Sequence, residues 1–437
     1  MTIITTLLDR LKTTLDGLPD SREPSPRLTY TMQDIGLAAF SVFFLQSPSF
    51  LSYQRHVERR YGSSNAQSLF GLSQIPSDNQ VRNVLDDVDV QELLPMFRFC
   101  FTTFESMPQA QDFRFLEVGG QRKYLAALDG TGHFSSKKLS CSQCCTKTAS
   151  ETGVVSYAHS FLGVSLCRPQ SEHVISLEPE FVVPQDGAEK QDCERNAAKR
   201  WMERHGDYYG GKGMVVLGDD LYACEPICAL ALEKSLDFIF TCKPTSHKAL
   251  YGALEKVDVK TETFKDATGK TTTITYRNMM PMTGQKRALQ VNWLKVEART
   301  RSGKMDYTNA FVTNIPLTAQ NVFEVACAGR ARWKVENETF NTLKTKGYNL
   351  EHNFGHGKKN LCNLFATLNL LAFCFHTLTD IADEKYRLIN ALIQSRAEFF
   401  EEIRMLTRYM LFTSWDHLFE TMLGSFNNLD PPSKKRA

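Results

Sequence analysis

Tyr124-Leu125-Ala126-Ala127-Leu128-Asp129-Gly130-Thr131 is a short apolar run that ends in a carboxylate and a glycine. Four or five consecutive apolar residues bounded by turn residues read as a buried strand rather than a helix. Gly213-Met214-Val215-Val216-Leu217 repeats the pattern: an apolar run, expected as a buried strand, that leads to Asp219. Between and after these runs, strands are expected at residues 157–166, 173–177 and 237–241. Helices are expected at 193–205, with Arg195, Lys199, Arg200 and Arg204, and at 225–234. Strands alternating with helices argue for an α/β core whose ligands gather at the carboxyl ends of the strands. Asp129 and Asp219 are expected at two such ends.

Outward from this centre the pattern changes. Residues 1–115 read as a separate helical region. Thr31 with Asp34 caps the run after residue 34, Ser77 caps a short helix, and Arg22-Glu23-Pro24-Ser25-Pro26 forms a linker. Residues 116–243 hold the first part of the core. Residues 244–304 break the alternation with strands expected at 261–264, 271–276 and 289–298, a β-rich insertion. The core resumes over 305–390, with a strand at 307–313 and then helices, and 391–437 comprises C-terminal helices and a disordered tail at Pro431-Pro432.

A chain of 437 residues exceeds one ordinary core. Its formal net charge is +2, so contacts to a polyanion must come from local basic surface. The 12 cysteines follow no regular framework, and residues 1–18 lack an apolar signal core, which together point to reduced thiols in the cytoplasm. The apolar stretch 361–378 is interrupted by Asn363, Thr367, Asn369 and His376 and reads as a buried helix, with no membrane contact.

The third informative acid is Glu336, in Arg332-Trp333-Lys334-Val335-Glu336. On an α-helix Arg332 and Glu336 share a face. Hard carboxylate oxygens hold Mg²⁺, and two such ions about 3.5–4 Å apart can serve the attacking and leaving oxygens of a phosphodiester. Asp129 would bridge both ions, with Asp219 and Glu336 each completing one site. Singly, an aspartate after a strand is commonly a turn residue, and an arginine–glutamate pair commonly a surface ion pair. Their conjunction within the basic field of Arg330, Arg332, Lys334, Lys344, Lys346, Lys358 and Lys359 fits a polyanionic substrate. Asp220 competes with Asp219 and Glu338 with Glu336.

Over residues 120–360 the chain resembles the DDE transposases of bacterial insertion sequences, those with a β-strand insertion in a ribonuclease H-like core. Asp129-Gly130-Thr131 is similar to the first catalytic block, and Gly218-Asp219 with Tyr222 to the second. Arg332 to Glu336, followed by Phe340 and Leu343-Lys344, is similar to the signature Tyr-x2-Arg-x3-Glu-x6-Lys. Gly329 stands at the tyrosine position and Leu343 at the lysine position. Tyr348 to Gly357 resembles the continuation of this block in one subgroup. The resemblance implies an endonuclease of DNA recombination and transposition. Its cofactor would be Mg²⁺, with Mn²⁺ as a substitute, held by Asp129, Asp219 and Glu336. Its partner would be double-stranded DNA, both transposon ends and target, bound by a homodimer. Arg332, Lys344, Lys346, Lys358 and Lys359 would contact that DNA. The rival readings are a metal-dependent nuclease of the same fold without strand transfer, and a catalytically inactive DNA-binding derivative.

Cys141-x2-Cys144-Cys145 supplies half of a zinc pattern. Cys141, Cys144, Cys145 and His159 are candidate ligands of a structural Zn²⁺, with His133 and Cys167 as alternatives. No phosphate-binding GxxxxGK[ST] loop, GxGxxG fingerprint or nucleophile elbow occurs.

Overall fold

A computed structural model describes residues 2–149, 151–184, 192–393 and 395–427. The tail expected to be disordered lies outside them. Among the described residues twelve strands form one mixed sheet. They are β1 (Leu116–Val118), β2 (Gln121–Ser136), β3 (Cys145–Thr148), β4 (Val155–Cys167), β5 (Ile175–Ser176) and β6 (Glu180–Val182). The rest are β7 (Met214–Gly218), β8 (Asp237–Thr241), β9 (Lys260–Lys265), β10 (Thr271–Pro281), β11 (Gln290–Arg299) and β12 (Met305–Thr313). The order is β3-β4-β2-β7-β8-β12-β11-β10-β9, with β1 on β2 and β5 and β6 on β4.

β4 is antiparallel to β2, whereas β7 and β8 run parallel to it. The parallel pairs need crossovers, supplied by the helices Glu194–Gly211 and Glu225–Glu233. All five residues of β7 are buried, as expected of a parallel strand covered on both faces. Residues 244–304 fall between β8 and the glutamate segment. Their strands continue the sheet, because β11 pairs with β12 and β12 with β8. The outermost strand, Lys-Thr-Glu-Thr-Phe-Lys, carries charge at both ends, which discourages further strand pairing.

The expectation that β2 stops at Asp129 needs correcting. The strand runs on to Ser136 because its ladder with β4 continues, Asp129 opposite Gly163 and Ser136 opposite Tyr157. What stops is the parallel pairing on the other side, whose last pair is Ala127 with Leu217.

The helix Leu361–Ala382 is long and apolar enough to cross a membrane by length and composition, yet every residue from Leu361 to Ile381 is buried inside the protein. Each of its interrupting polar residues makes a hydrogen bond, with Asn369 Oδ1 and His376 Nε2 left without a partner. Asn363 accepts from His159 Nδ1 at 2.8 Å, Thr367 donates to the Asn363 carbonyl, Asn369 donates to the Tyr348 carbonyl, and His376 meets the Tyr348 hydroxyl at 2.6 Å. The helix Met32–Phe44 lies against it, with Phe40 and Phe375 ring centroids 5.1 Å apart. That helix opens with the Thr31–Asp34 capping box. The buried helix starts without a cap of its own at Asn360. Instead Asp86 accepts the amides of Lys358, Lys359, Asn360 and Leu361 at 2.7–3.1 Å, satisfying its orphan donors from a distant part of the chain.

Candidate catalytic carboxylate site

Asp129 and Asp219 each stand two residues past the last β2–β7 pair, Asp129 still within β2 and Asp219 in the turn just beyond β7. The Asp219 carboxylate accepts the Leu221 amide at 2.8 Å, which fixes the turn after β7. Asp220 is turned elsewhere: it accepts the Lys243 amide at 2.6 Å and lies 3.2 Å from His247 Nε2.

Glu336 comes to Asp129 from a different layer. Here the expected continuous α-helix is broken, ending at Arg330 and giving way, after a turn, to a π-helix over Val335–Phe340. Such i→i+5 turns frequently mark functional sites. Arg332 Nη1 donates to Glu336 Oε1 at 2.6 Å and stands 4.0 Å from Asp129 Oδ2, so one guanidinium spans both acids. Glu338 is paired with Lys334 at 3.3 Å. The π-helix seats on β4 through Thr339, whose hydroxyl is 2.8 Å from that of Ser165. It also needs Gly163, directly opposite Asp129, where a Cβ would come within 2.5 Å of the Phe340 ring. Gly329, at the signature's tyrosine position, is explained the same way: the helix crosses β8 and β12 so closely that a Cβ would meet Phe311 and Ile239 at 3.0–3.1 Å.

A fourth carboxylate, Glu194, was not among the expected residues. It opens the helix Glu194–Gly211, accepts the Tyr222 hydroxyl, and reaches so near β2 that a Cβ on Gly130 would collide with its Oε2. No motif surrounds it; the one sequence signal was the bare Gly130 beside Asp129. Burial, then the negative charges of Glu336 and Glu194, push the Asp129 carboxyl up to about 7, with Arg332 opposing. The Asp129 side chain is 18% exposed and that of Glu336 is 42% exposed, so the site opens on the glutamate side. Trp333, at 50% exposure, directly follows Arg332 in the sequence.

The expected DNA-contacting lysines follow on the same stretch of chain. Lys344 pairs with Glu351 at 2.8 Å and Lys359 with Asp87 at 2.6 Å. Lys346 and Lys358 are exposed.

The thiols do not gather as expected. Cys141 and Cys144 meet His159 and His356. Cys145 begins β3 and is turned away, its Sγ 3.7 Å from the Val182 carbonyl oxygen, since successive strand residues face opposite sides. Cys167 Sγ lies 3.7 Å from the Ala331 carbonyl, and His133 falls in a neighbouring group with His159 and Cys362.

No protein-family model matches the chain, and no curated protein matches it. Among solved structures, it is similar to a piggyBac transposase seen by cryo-electron microscopy in a synaptic complex with hairpin DNA. The identity is 11% and the TM-score 0.40, over 100% of this chain and 84% of that one. The residues of the site therefore carry the functional reading.

Proposed function

We propose that this protein is a DNA transposase of the DDE type, resembling those of insertion sequences, with Asp129, Asp219 and Glu336 as its catalytic carboxylates. One observation carries the reading: Arg332 joins Glu336 to Asp129 at the point where β2 and β7 part and Asp219 emerges. The strand order β4-β2-β7-β8, with β4 antiparallel and β7 and β8 parallel, supports a ribonuclease H-like core around it. The donor set fits Mg²⁺ or Mn²⁺: it is all carboxylate oxygen, and burial followed by its crowded negative charge keeps a proton on Asp129 to about pH 7. Asp129 with Asp219, and Asp129 with Glu336, would hold the ions. When bound, such ions activate water and stabilise a leaving oxygen.

The chain's own residues then have separable roles. Arg332 orients Glu336 and offers a guanidinium to a phosphate. Asp129 must release its proton before it can bind metal. Tyr222 holds Glu194 beside β2. Exposed Lys346 and Lys358 receive backbone phosphates, while Lys344 and Lys359 first exchange an acidic partner for one. The Trp333 indole offers a stacking surface to an unpaired base. Cutting would expose a 3′-hydroxyl that attacks target DNA at the same site, on a homodimer joining two ends, in the cytoplasm.

Asp129→Asn, Asp219→Asn and Glu336→Gln are each expected to lower Mg²⁺-dependent cleavage of end-containing DNA by at least about 10³-fold while leaving DNA binding intact. Full activity in any one removes that residue from the site. Pre-cleaved ends supplied with a target plasmid should yield joined product; cleavage without joining would identify a nuclease instead.

A further inference from the structure

Four side chains from three parts of the chain converge where β4 pairs with the far end of β2, His159 lying opposite Phe134. Cys141 and Cys144 lie in the loop between β2 and β3, His159 on β4, and His356 on the glycine-flanked stretch after the glutamate segment. Their sulfur and nitrogen atoms all lie within 4.8 Å of one another. Cys141 Sγ and Cys144 Sγ are 3.8 Å apart. His159 Nε2 is 3.3 Å from the first and 3.2 Å from the second, and His356 Nε2 is 3.4 Å from Cys144 Sγ.

Around a tetrahedral zinc with Zn–S of about 2.3 Å and Zn–N of about 2.0–2.1 Å, ligand sulfurs sit ~3.8 Å apart and a sulfur and a nitrogen ~3.6 Å apart. The observed separations fall at or slightly inside those values. The second nitrogen of each imidazole is also committed. His159 Nδ1 donates to Asn363 Oδ1 at 2.8 Å, and His356 Nδ1 to the Gly357 carbonyl at 3.0 Å. Both bonds leave Nε2 with its lone pair aimed at the thiols, the orientation that second-shell partners impose on metal-bound histidine. Gly357, at φ +68°, makes the turn that returns the chain toward Asp86 just after His356.

We propose that Cys141, Cys144, His159 and His356 form a structural Cys₂His₂ zinc site. The ion would tie the β2–β3 loop and β4 to the segment that follows Glu336, holding the glutamate's side of the catalytic cleft onto the sheet. All four coordination positions are filled by protein, so this zinc would have no open position for chemistry.

The test is zinc uptake by the full chain, stripped with chelator and titrated against a chromophoric competitor. One equivalent is expected for the unaltered protein and for Cys145→Ser, and none for Cys144→Ser or His356→Asn. Asn363→Ala, which touches only the outer shell, is expected to weaken binding by roughly 10–100-fold. Far-UV circular dichroism of each variant separates lost metal from lost fold. Cobalt substitution reads the donors directly, since a tetrahedral site with two thiolates gives intense visible bands and a sulfur charge-transfer band. The proposal is overturned by no uptake in the unaltered chain, by retained zinc in folded Cys144→Ser, by zinc lost from Cys145→Ser, or by a cobalt spectrum without the sulfur band.

Discussion

Asp129 sits among negative charges with one arginine to balance them, and this fixes how the site responds to pH. Its carboxyl is raised from 3.8 to about 7, by burial first and then by Glu336 and Glu194. Between those two values the folded protein holds a proton that the unfolded chain has released. Stability without metal should therefore fall as pH rises through this window, by at most about 1.4 kcal/mol per pH unit, and level off above it. Asp129→Asn should flatten that slope. Mg²⁺ competes with the proton, so its gain in Tm should be larger at about pH 8 than at about pH 5.5. Thermal melts with and without Mg²⁺ check both statements; a gain independent of pH would mean that Asp129 is not a ligand. At this scale the sequence was informative about which acids stand at the end of the β2–β7 pairing and on the glutamate segment, and silent about their neighbours. Asp129, Asp219 and Glu336 stood in recognisable local contexts. Glu194 did not, because it is brought to Gly130 by a helix start that the fold delivers, with no local signal.

The strand and helix positions were legible because apolar alternation and buried apolar runs are local signals. The strand expected at 213–217 formed one residue further on, at Met214–Gly218, and the run at 237–241 and the caps at Thr31 and Ser77 match the elements that formed. Two features were hidden. Past Asp129 the sequence Gly-Thr-Gly-His-Phe has weak strand character, and only pairing with β4 keeps it extended. The π-helix was also concealed, since Val335–Phe340 has ordinary helical composition and its widened turn answers to tertiary packing on β4. Gly163→Ala tests that dependence. The added methyl would press on Phe340 and push the π-helix, with Glu336, off the strand. An overpacking cost of about 1–3 kcal/mol is expected, with cleavage reduced on the order of 100-fold by a roughly 1 Å displacement. Phe340→Leu in the same chain should recover part of both. Unchanged cleavage in Gly163→Ala would show that the seating of the π-helix does not set the glutamate.

For the molecule as a whole, the helix Leu361–Ala382 is the shared neighbour: the N-terminal helix Met32–Phe44 stacks on it through Phe40 and Phe44, and β4 reaches it through His159 and Asn363. A chain ending at residue 360 is expected to aggregate, because those apolar faces would be left open; a soluble, cooperatively melting truncation in a sedimentation assay would count against this. Such long-range partnerships were the least legible in sequence. Nothing local to His356 announces a thiol 212 residues away, and nothing local to Asp86 announces a helix start 275 residues on. The position of that helix near the end of the chain also sets a schedule. Polypeptide leaves the ribosome at about 5–20 residues per second, so the first helices wait roughly 15–60 s for the surface they are built to cover. During that interval the nascent chain is a client for whatever shields apolar helices in the cell. The yield of active protein should then depend on holding capacity at the ribosome as much as on the stability of the finished fold.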